Sequence, residues 1–281
     1  MSHPVIFDRQ LLRKRQARAA QLGPATFLID RIADDMAERL SVVLRKFEHA
    51  ADLGTPTDAV RRALAGRVGM IAEVVADEEA LPFSPESLDL VVSALSLQFV
   101  NDLPGTLVQI RRALKPDGLF LAAMIGGETL SELRESFAAA EAEIEGGVSP
   151  RVSPFADLRD LGALLQRAGF ALPVTDVERL TVRYASPFAL MQDLRKMGAT
   201  NVLVERRRMP LKRATLRRMA ELYAERFADA DGRMRATFEI VWLSGWAPHV
   251  SQQQPLAPGS ARTRLADALG TMEIPTGEKP R

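Results

Sequence analysis

The sequence predicts an α/β fold: an open, mostly parallel sheet with an antiparallel hairpin at one edge and a helical insertion. Three observations predict it. Ser87 to Leu95 is an apolar run without alternation, as in a strand buried on both faces. A helical stretch over 102–114 and a Lys115-Pro116-Asp117-Gly118 turn lead into a second such run, Leu119 to Ile125. Helices and strands alternate along most of the chain, which calls for right-handed crossovers between parallel strands.

The first helix is expected over 8–20, with Leu11, Leu12 and Ala19 on its apolar face, and Gly23-Pro24 ends it. From Phe27 to Phe47, Leu28, Ile32, Met36, Leu40 and Val43 recur at steps of three and four, the mark of an amphipathic helix. Glu48 to Gly54 is read as the first strand, although His49-Ala50-Ala51 is weakly strand-like. A short helix over Asp58 to Leu64 precedes a strand over Val68 to Val75, interrupted by Glu73. The helix at 102–114 starts at Asn101 or Asp102, carries Pro104 in its first turn and buries Leu103, Leu107, Ile110 and Leu114. Another runs from Glu128 to Glu145 until Gly146-Gly147 stops it, and one from Phe155 to Ala168 ends at Gly169.

Leu180, Val182 and Tyr184 alternate with Thr181 and Arg183, and Phe238, Ile240 and Trp242 share one face. The pair 174–184 and 236–243 is therefore the antiparallel edge hairpin, with helices at 187–198 and 211–228 inserted between its strands. After Ser251 the chain reads as loop, and its tail as disordered from about Thr271. The result is one domain over 1–270: N-terminal helices at 1–46, a sheet core at 47–185 and 236–250, an insertion at 186–235, and a tail at 271–281. Between Gly54 and Asp77 there is room for only one brief helix and one strand, so the sheet is shortened in its first half.

The 281 residues are 47 % apolar and 26 % charged, an ordinary globular balance for one or two domains. A net charge of +1 gives no whole-molecule field, so nucleic acid is not expected as the main ligand. No run reaches the ~18 apolar residues that span a bilayer, and the N-terminus lacks the apolar core of a signal peptide, so a cytoplasmic protein is expected. Its Arg9, Arg13, Lys14, Arg15 and Arg18 read as a solvated face of the first helix. Cysteine is absent, which excludes thiolate chemistry. Histidine occurs only at His3, His49 and His249, far apart, so no two-His-one-carboxylate metal site is expected.

Short motifs narrow the reading. They are Phe7-Asp8-Arg9, Asp77-Glu78-Glu79 with Leu81-Pro82-Phe83, Val100-Asn101-Asp102-Leu103-Pro104, Lys115-Pro116-Asp117-Gly118 and Gly126-Gly127-Glu128-Thr129-Leu130. Later come Gly146-Gly147, Ser149-Pro150, Ser153-Pro154-Phe155, Gly245-Trp246, His249, Ser251-Gln252, Pro255 and Gly259-Ser260. With these the chain resembles the class I S-adenosylmethionine (SAM) methyltransferases of type 11. More narrowly it is similar to the mitochondrial complex I assembly factors described as arginine hydroxylases and to their alphaproteobacterial relatives. The resemblance implies a Rossmann-like methyltransferase sheet, SAM as cofactor, and a role in modifying or assisting a subunit of respiratory NADH dehydrogenase.

It also implies site residues. Asp52 and Gly54 fall where the loop after the first strand meets the amino-acid end of SAM. Asp77 and Glu78 fall at the adenine end, Glu73 near the ribose, and Ser93 on the strand flanking the sulfonium. Asp102 and His249 are the candidates for a catalytic base. The family's first motif has three alternating glycines; here Gly54 is kept and Pro56 and Asp58 stand at the other two positions. Proline brings no donor N–H, and Asp58 places negative charge where a carboxylate binds, which predicts weak or absent SAM affinity. Two other classes of function remain open: a non-catalytic binding or assembly protein, and a small-molecule carboxyl methyltransferase resembling the biotin-pathway enzymes that act on malonyl thioesters. The basic cluster Arg206, Arg207, Arg208, Lys212, Arg213, Arg217 and Arg218 is either a solvated helical face or a docking patch for an acidic partner. The Glu-rich stretch from Glu128 to Glu145 matches it in charge.

Overall fold

The computed structural model describes residues 5–74, 79–253, 260 and 263–272. The expected loop at 254–259 and the tail beyond Met272 lie outside them. Two units are distinguished, Met1–Pro248 and His249–Arg281. In the second, the chain turns at His249–Gln252, with Gln252 N donating to His249 O at 3.1 Å, and forms a short helix, Leu265–Leu269, that the pattern had not suggested.

The first unit is a six-stranded sheet with helices on both faces. Its strands are β1 (Phe47–Leu53), β2 (Val68–Val74), β3 (Leu88–Ala94), β4 (Leu114–Ile125), β5 (Ala171–Tyr184) and β6 (Met234–Trp246), in spatial order β2-β1-β3-β4-β6-β5. The first four run parallel, and β6 pairs antiparallel with both β4 and β5. The antiparallel edge and the short first half are therefore as the sequence predicts. One five-residue helix, α3 (Ala59–Ala63), is all that links β1 to β2.

The unalternating strands are apolar throughout because both faces are covered. Leu90 and Val92 point to a cluster under α2 (Phe27–Ser41), where Ile32 and Met36 are fully buried. Val91 and Phe120 point the other way, to α4 (Leu103–Ala113) and α6 (Leu158–Arg167), with Leu107, Ile110, Leu161 and Leu165. The insertion supplies α7 (Pro187–Lys196) and α8 (Arg213–Phe227), and α8 packs along α5 (Ser131–Glu145). The first helix, α1 (Arg9–Gln21), starts at Asp8, whose side chain accepts from Leu11 N at 3.0 Å.

Three local expectations are corrected. The helix after Phe27 ends at Ser41, because five residues turn the chain into β1 and leave Val42 and Leu44 exposed. Lys115-Pro116-Asp117-Gly118 is a bulge inside β4 rather than a separate turn. Its register jumps from Leu88↔Leu114 to Leu90↔Leu119, Asp117 takes φ 63°, and the bulged backbone bonds Ala247 instead. Helix α5 starts at Ser131, not Glu128, because Leu130 is left-handed at φ 55° and its N–H donates to Thr237 O.

Candidate functional site

The carboxyl ends of parallel strands point to where an α/β sheet binds ligands. A cavity of about 430 Å³ opens there. Its floor is Pro56 and Thr57 after β1, Leu95 after β3 and Ile125 at the end of β4; α1, α2, α5 and α7 wall it. The volume lies in the range of small-molecule sites. Leu28, Leu133, Phe137 and Phe238 make it largely apolar, while its charged lining residues are all cationic: Arg15, Arg151, Lys196, Arg206 and Arg207.

Nonlocal contacts close α1 over this space. Asn101 Oδ1 accepts from both Ile6 N and Phe7 N at 2.8 Å, and its Nδ2 donates to Phe7 O at 3.2 Å. Phe7 meets Phe99 edge-on, with ring centroids 5.7 Å apart, and pairs as an isolated bridge with Leu203. The segment after α5 is fixed by Glu141, whose carboxylate accepts from Ser149 N at 2.7 Å and from Arg151 Nε at 2.8 Å. Burial alone raises its pKa, but these donors outweigh burial and hold the carboxyl below its ordinary range.

Behind the floor lies Asp52, 1 % exposed. Thr55 Oγ1 donates to Asp52 Oδ1 and accepts from Ala94 N at 3.1 Å, tying the loop to β3. Asp52 Oδ2 is buried without a hydrogen-bond partner. Burial pushes the Asp52 pKa up to about 6, opposed by the Thr55 hydroxyl and by Arg61 and reinforced by Glu73. Gly54 takes φ +67°, the left-handed region in which a Cβ is unfavourable, and its N–H donates to Val74 O at 2.8 Å. Ser93 Oγ donates to Leu53 O at 2.7 Å in the core, so it staples β3 to β1.

The structure thus brings Asp52, Gly54 and Ser93 together at adjoining strand ends, and Glu73 stands opposite Asp52 in the β1–β2 register, paired with Arg61. None of these four lines the cavity. Asp102 does not join them: it is the N-cap of α4, its side chain accepting from Gly105 N at 2.9 Å. His249 begins the second unit, where its Nδ1 lies 2.7 Å from Ser251 Oγ. Asp77 and Glu78 fall outside the described residues. Asp58 is exposed and its carboxylate is 3.1 Å from Arg62 Nε, so its charge goes to α3 and not to the cavity wall. Sequence reasoning missed Gln98, on the cavity wall in a single 3₁₀ turn (Leu97–Phe99), whose Oε1 is buried without a partner while Nε2 donates to Leu95 O at 2.8 Å. It missed Arg15 too, which the basic N-terminus had suggested only as solvated surface.

A methyltransferase-domain model matches residues 36–122. The chain is 40 % identical to the human arginine-hydroxylase NDUFAF5, mitochondrial, over 98 % of its own length and 86 % of that protein. The chain belongs to the family of the NDUFAF5 proteins. Within this family the zebrafish arginine-hydroxylase NDUFAF5 is 38 % identical over 93 % of this chain and 89 % of that protein. The malonyl-[acyl-carrier protein] O-methyltransferase of Gallionella capsiferriformans is 32 % identical over 86 % of this chain and 92 % of that one. Among solved structures, BH2331 of Bacillus halodurans superposes with a TM-score of 0.51 at 16 % identity, covering 77 % of this chain and 99 % of that one, a likeness of fold. Several motif residues now have physical roles. Asn101 anchors the N-terminal segment, Asp8 caps α1, and Gly126 leaves room for Glu239 Oε1, which a Cβ there would meet at 2.5 Å.

Among the described residues no three His, Asp or Glu side chains gather as a metal site, and no helix is long and apolar enough to cross a membrane.

Proposed function

We propose that the cavity over the ends of β1, β3 and β4 binds SAM and that the chain modifies, or assists assembly of, a subunit of respiratory NADH dehydrogenase. The observation that carries the first half is the position of the cavity, over the strand ends, with Pro56, which replaces one of the family's glycines, in its floor. The cavity's charged wall is cationic, and the one group suited to the cationic end of the cofactor lies under the floor. Asp52 lies behind the floor as a carboxylate with one unpartnered oxygen, while Arg61, the nearest cation, is paired with Glu73. Its field favours the ammonium and sulfonium of SAM, and the buried oxygen leaves an acceptor for any loop N–H that turns inward on binding. Bound SAM supplies an electrophilic methyl group. Of the two glycine replacements, Asp58 is exposed, pairs with Arg62 and does not line the cavity, whereas Pro56 does.

The second half is supported by the extent of similarity to the NDUFAF5 proteins, which spans both the sheet and the insertion. The protein's part in the chemistry is placement: α1, α5 and α7 exclude water and hold the acceptor against the floor. The test is a strain lacking this chain. Loss of assembled NADH dehydrogenase, restored by the wild type, is the expected result; normal assembly without the chain overturns the role. Rescue by Asp52→Asn as well would favour the assembly reading over catalysis. Transfer of label from methyl-labelled SAM to a subunit would favour catalysis.

A further inference from the structure

Helix α8 presents an outer face that the rest of the chain leaves uncovered. Thr215, Met219, Leu222 and Tyr223 turn inward and are buried. On the outer side Leu216, Ala220 and Ala224 recur at steps of four and form one stripe, each only half-buried. Phe188, at the start of α7 and 44 % exposed, borders this stripe, and together they line a shallow groove. Charge of both signs edges the groove: Arg213 and Arg217 toward the start of α8, then Glu221 one turn beyond. These charges are poorly answered within the chain. Glu145 takes Arg207 and Glu143 takes Arg218, which leaves Arg218 only a 3.5 Å approach to Glu221. Arg217 has a 3.6 Å contact with Glu221, four residues on, and both side chains are open to water. Arg213 is exposed, and among the described residues no carboxylate is in ion-pair contact with it.

The order of the charges selects the occupant. Positive then negative along one flank is its own complement when the direction is reversed. A second α8 laid antiparallel, about a two-fold axis near Ala220, sets its Glu221 against Arg217 and its Arg217 against Glu221. Ala220 at the axis has no side chain beyond Cβ, so the helices approach closely, and Leu216 of each copy lies over Ala224 of the other. Arg213, in the first turn, then stands beside the last turn of the second α8, where unpaired carbonyls carry partial negative charge. We propose that a second copy of this chain covers the groove, in a two-fold dimer with α8 antiparallel to α8 and Arg217 paired with Glu221 in both directions. The patch is one 15-residue helix and the neighbouring Phe188. Such an area is smaller than a standard interface, so the dimer is weak, with a dissociation constant above about 1 μM. The proposal is independent of what the cavity binds.

Sedimentation equilibrium of the full chain at loadings up to about 0.5 mM tests this. Wild type is expected to show a monomer–dimer equilibrium. Arg217→Glu alone, or Glu221→Arg alone, sets like charges face to face twice across the axis and is expected to weaken association by roughly tenfold or more. The double variant Arg217→Glu with Glu221→Arg restores both pairs and is expected to return to within about threefold of wild type. An equimolar mixture of the two single variants is the decisive sample. Each copy then finds its complement only in the other, so a mixed dimer of near wild-type strength is expected, which a contact within one helix does not give. Ala220→Lys, which brings two ammonium groups together at the axis, is a second block, and thermal unfolding in dilute solution checks that every variant folds. A wild type that stays monomeric throughout overturns the inference. So do single variants that associate as wild type does, or a mixture that associates no more strongly than its components.

Discussion

Arg218 Nε lies 2.6 Å from Glu143 Oε2, and the same guanidinium reaches Glu225 at 3.3 Å. Two residues further along α5, Glu145 takes Arg207, with Lys212 at 3.8 Å. The basic run of the insertion therefore meets the acidic run of α5 in the same chain. Hydrogen bonding to Arg218 depresses the Glu143 carboxyl, and Arg218 is correspondingly raised by Glu143. A sequence reading that sees only two complementary runs has no means of choosing between a partner and the chain itself.

This divides the cluster. Arg208 is exposed, and Arg217 is exposed with only an i,i+4 contact to Glu221 at 3.6 Å. Reversing Arg208 and Arg217 to Glu is expected to leave the thermal midpoint nearly unchanged, as for isolated surface charges. Reversing Arg207 and Arg218 is expected to lower it by a few degrees, because each then faces a carboxylate of α5. Differential scanning calorimetry of the two double variants checks this; equal midpoints would show that the pairing carries no weight.

The raised pKa of Asp52 makes a pH prediction. Its value is about 6 in the folded chain, against about 4 when unfolded. Between those values the folded state holds the proton more tightly, so this group's contribution to stability falls as pH rises through the window. Above it the penalty is on the order of 3 kcal/mol. Asp52→Asn keeps an acceptor for Thr55 and removes the charge. It is expected to be more stable than wild type at pH 7.5, with the difference closing by about pH 4. Denaturant unfolding at the two pH values measures it, and a variant less stable at both would contradict the account.

Much of the architecture was legible because local pattern and global packing agree. Ser87 to Leu95 and Leu119 to Ile125 carry no alternation because α2 covers one face and α4 and α6 the other. The hairpin of β5 and β6 was legible because β5 is an edge strand whose outward residues alternate in exposure. Boundaries were lost where single residues take left-handed backbone against their propensity, as at Asp117 and Leu130. The site was less legible. Asp52 and Gly54 were marked by resemblance at the end of the first strand, and they lie behind the cavity rather than on its wall. The cavity is assembled from α1, α5, α7 and the segment after it, which meet only in three dimensions, so Arg15 and Gln98 left no local signal. Asp102 looked like chemistry and is a helix cap; the Asp-x-x-Gly spacing at the start of α4 carried that alternative.

Ser93 gives a separation between structure and cofactor contact. Its hydroxyl satisfies Leu53 O in the core at 2.7 Å. Ser93→Ala leaves that carbonyl unpaired and is expected to cost roughly 1–3 kcal/mol of stability, with SAM affinity unchanged. Loss of affinity at full stability, read by calorimetry and denaturant unfolding together, would return Ser93 to the cofactor.

Gly54 tests the floor loop. With φ at +67°, Gly54→Ala is expected to cost about 1–2 kcal/mol from left-handed strain alone. The same change is expected to weaken SAM binding, because the strain is relieved by moving the residues that form the cavity floor. An unfolding curve that matches wild type would show that the loop is not held as described.

The central claim is that the cavity above residues 54–57 is a SAM site polarised by the buried carboxylate beneath it. Isothermal titration of SAM into wild type and Asp52→Asn at pH 7.5 tests this most directly. The account predicts saturable binding by wild type and an affinity at least several-fold weaker in the variant, even though the variant is the more stable protein. No binding by folded wild type, or equal affinities in the two, would contradict it.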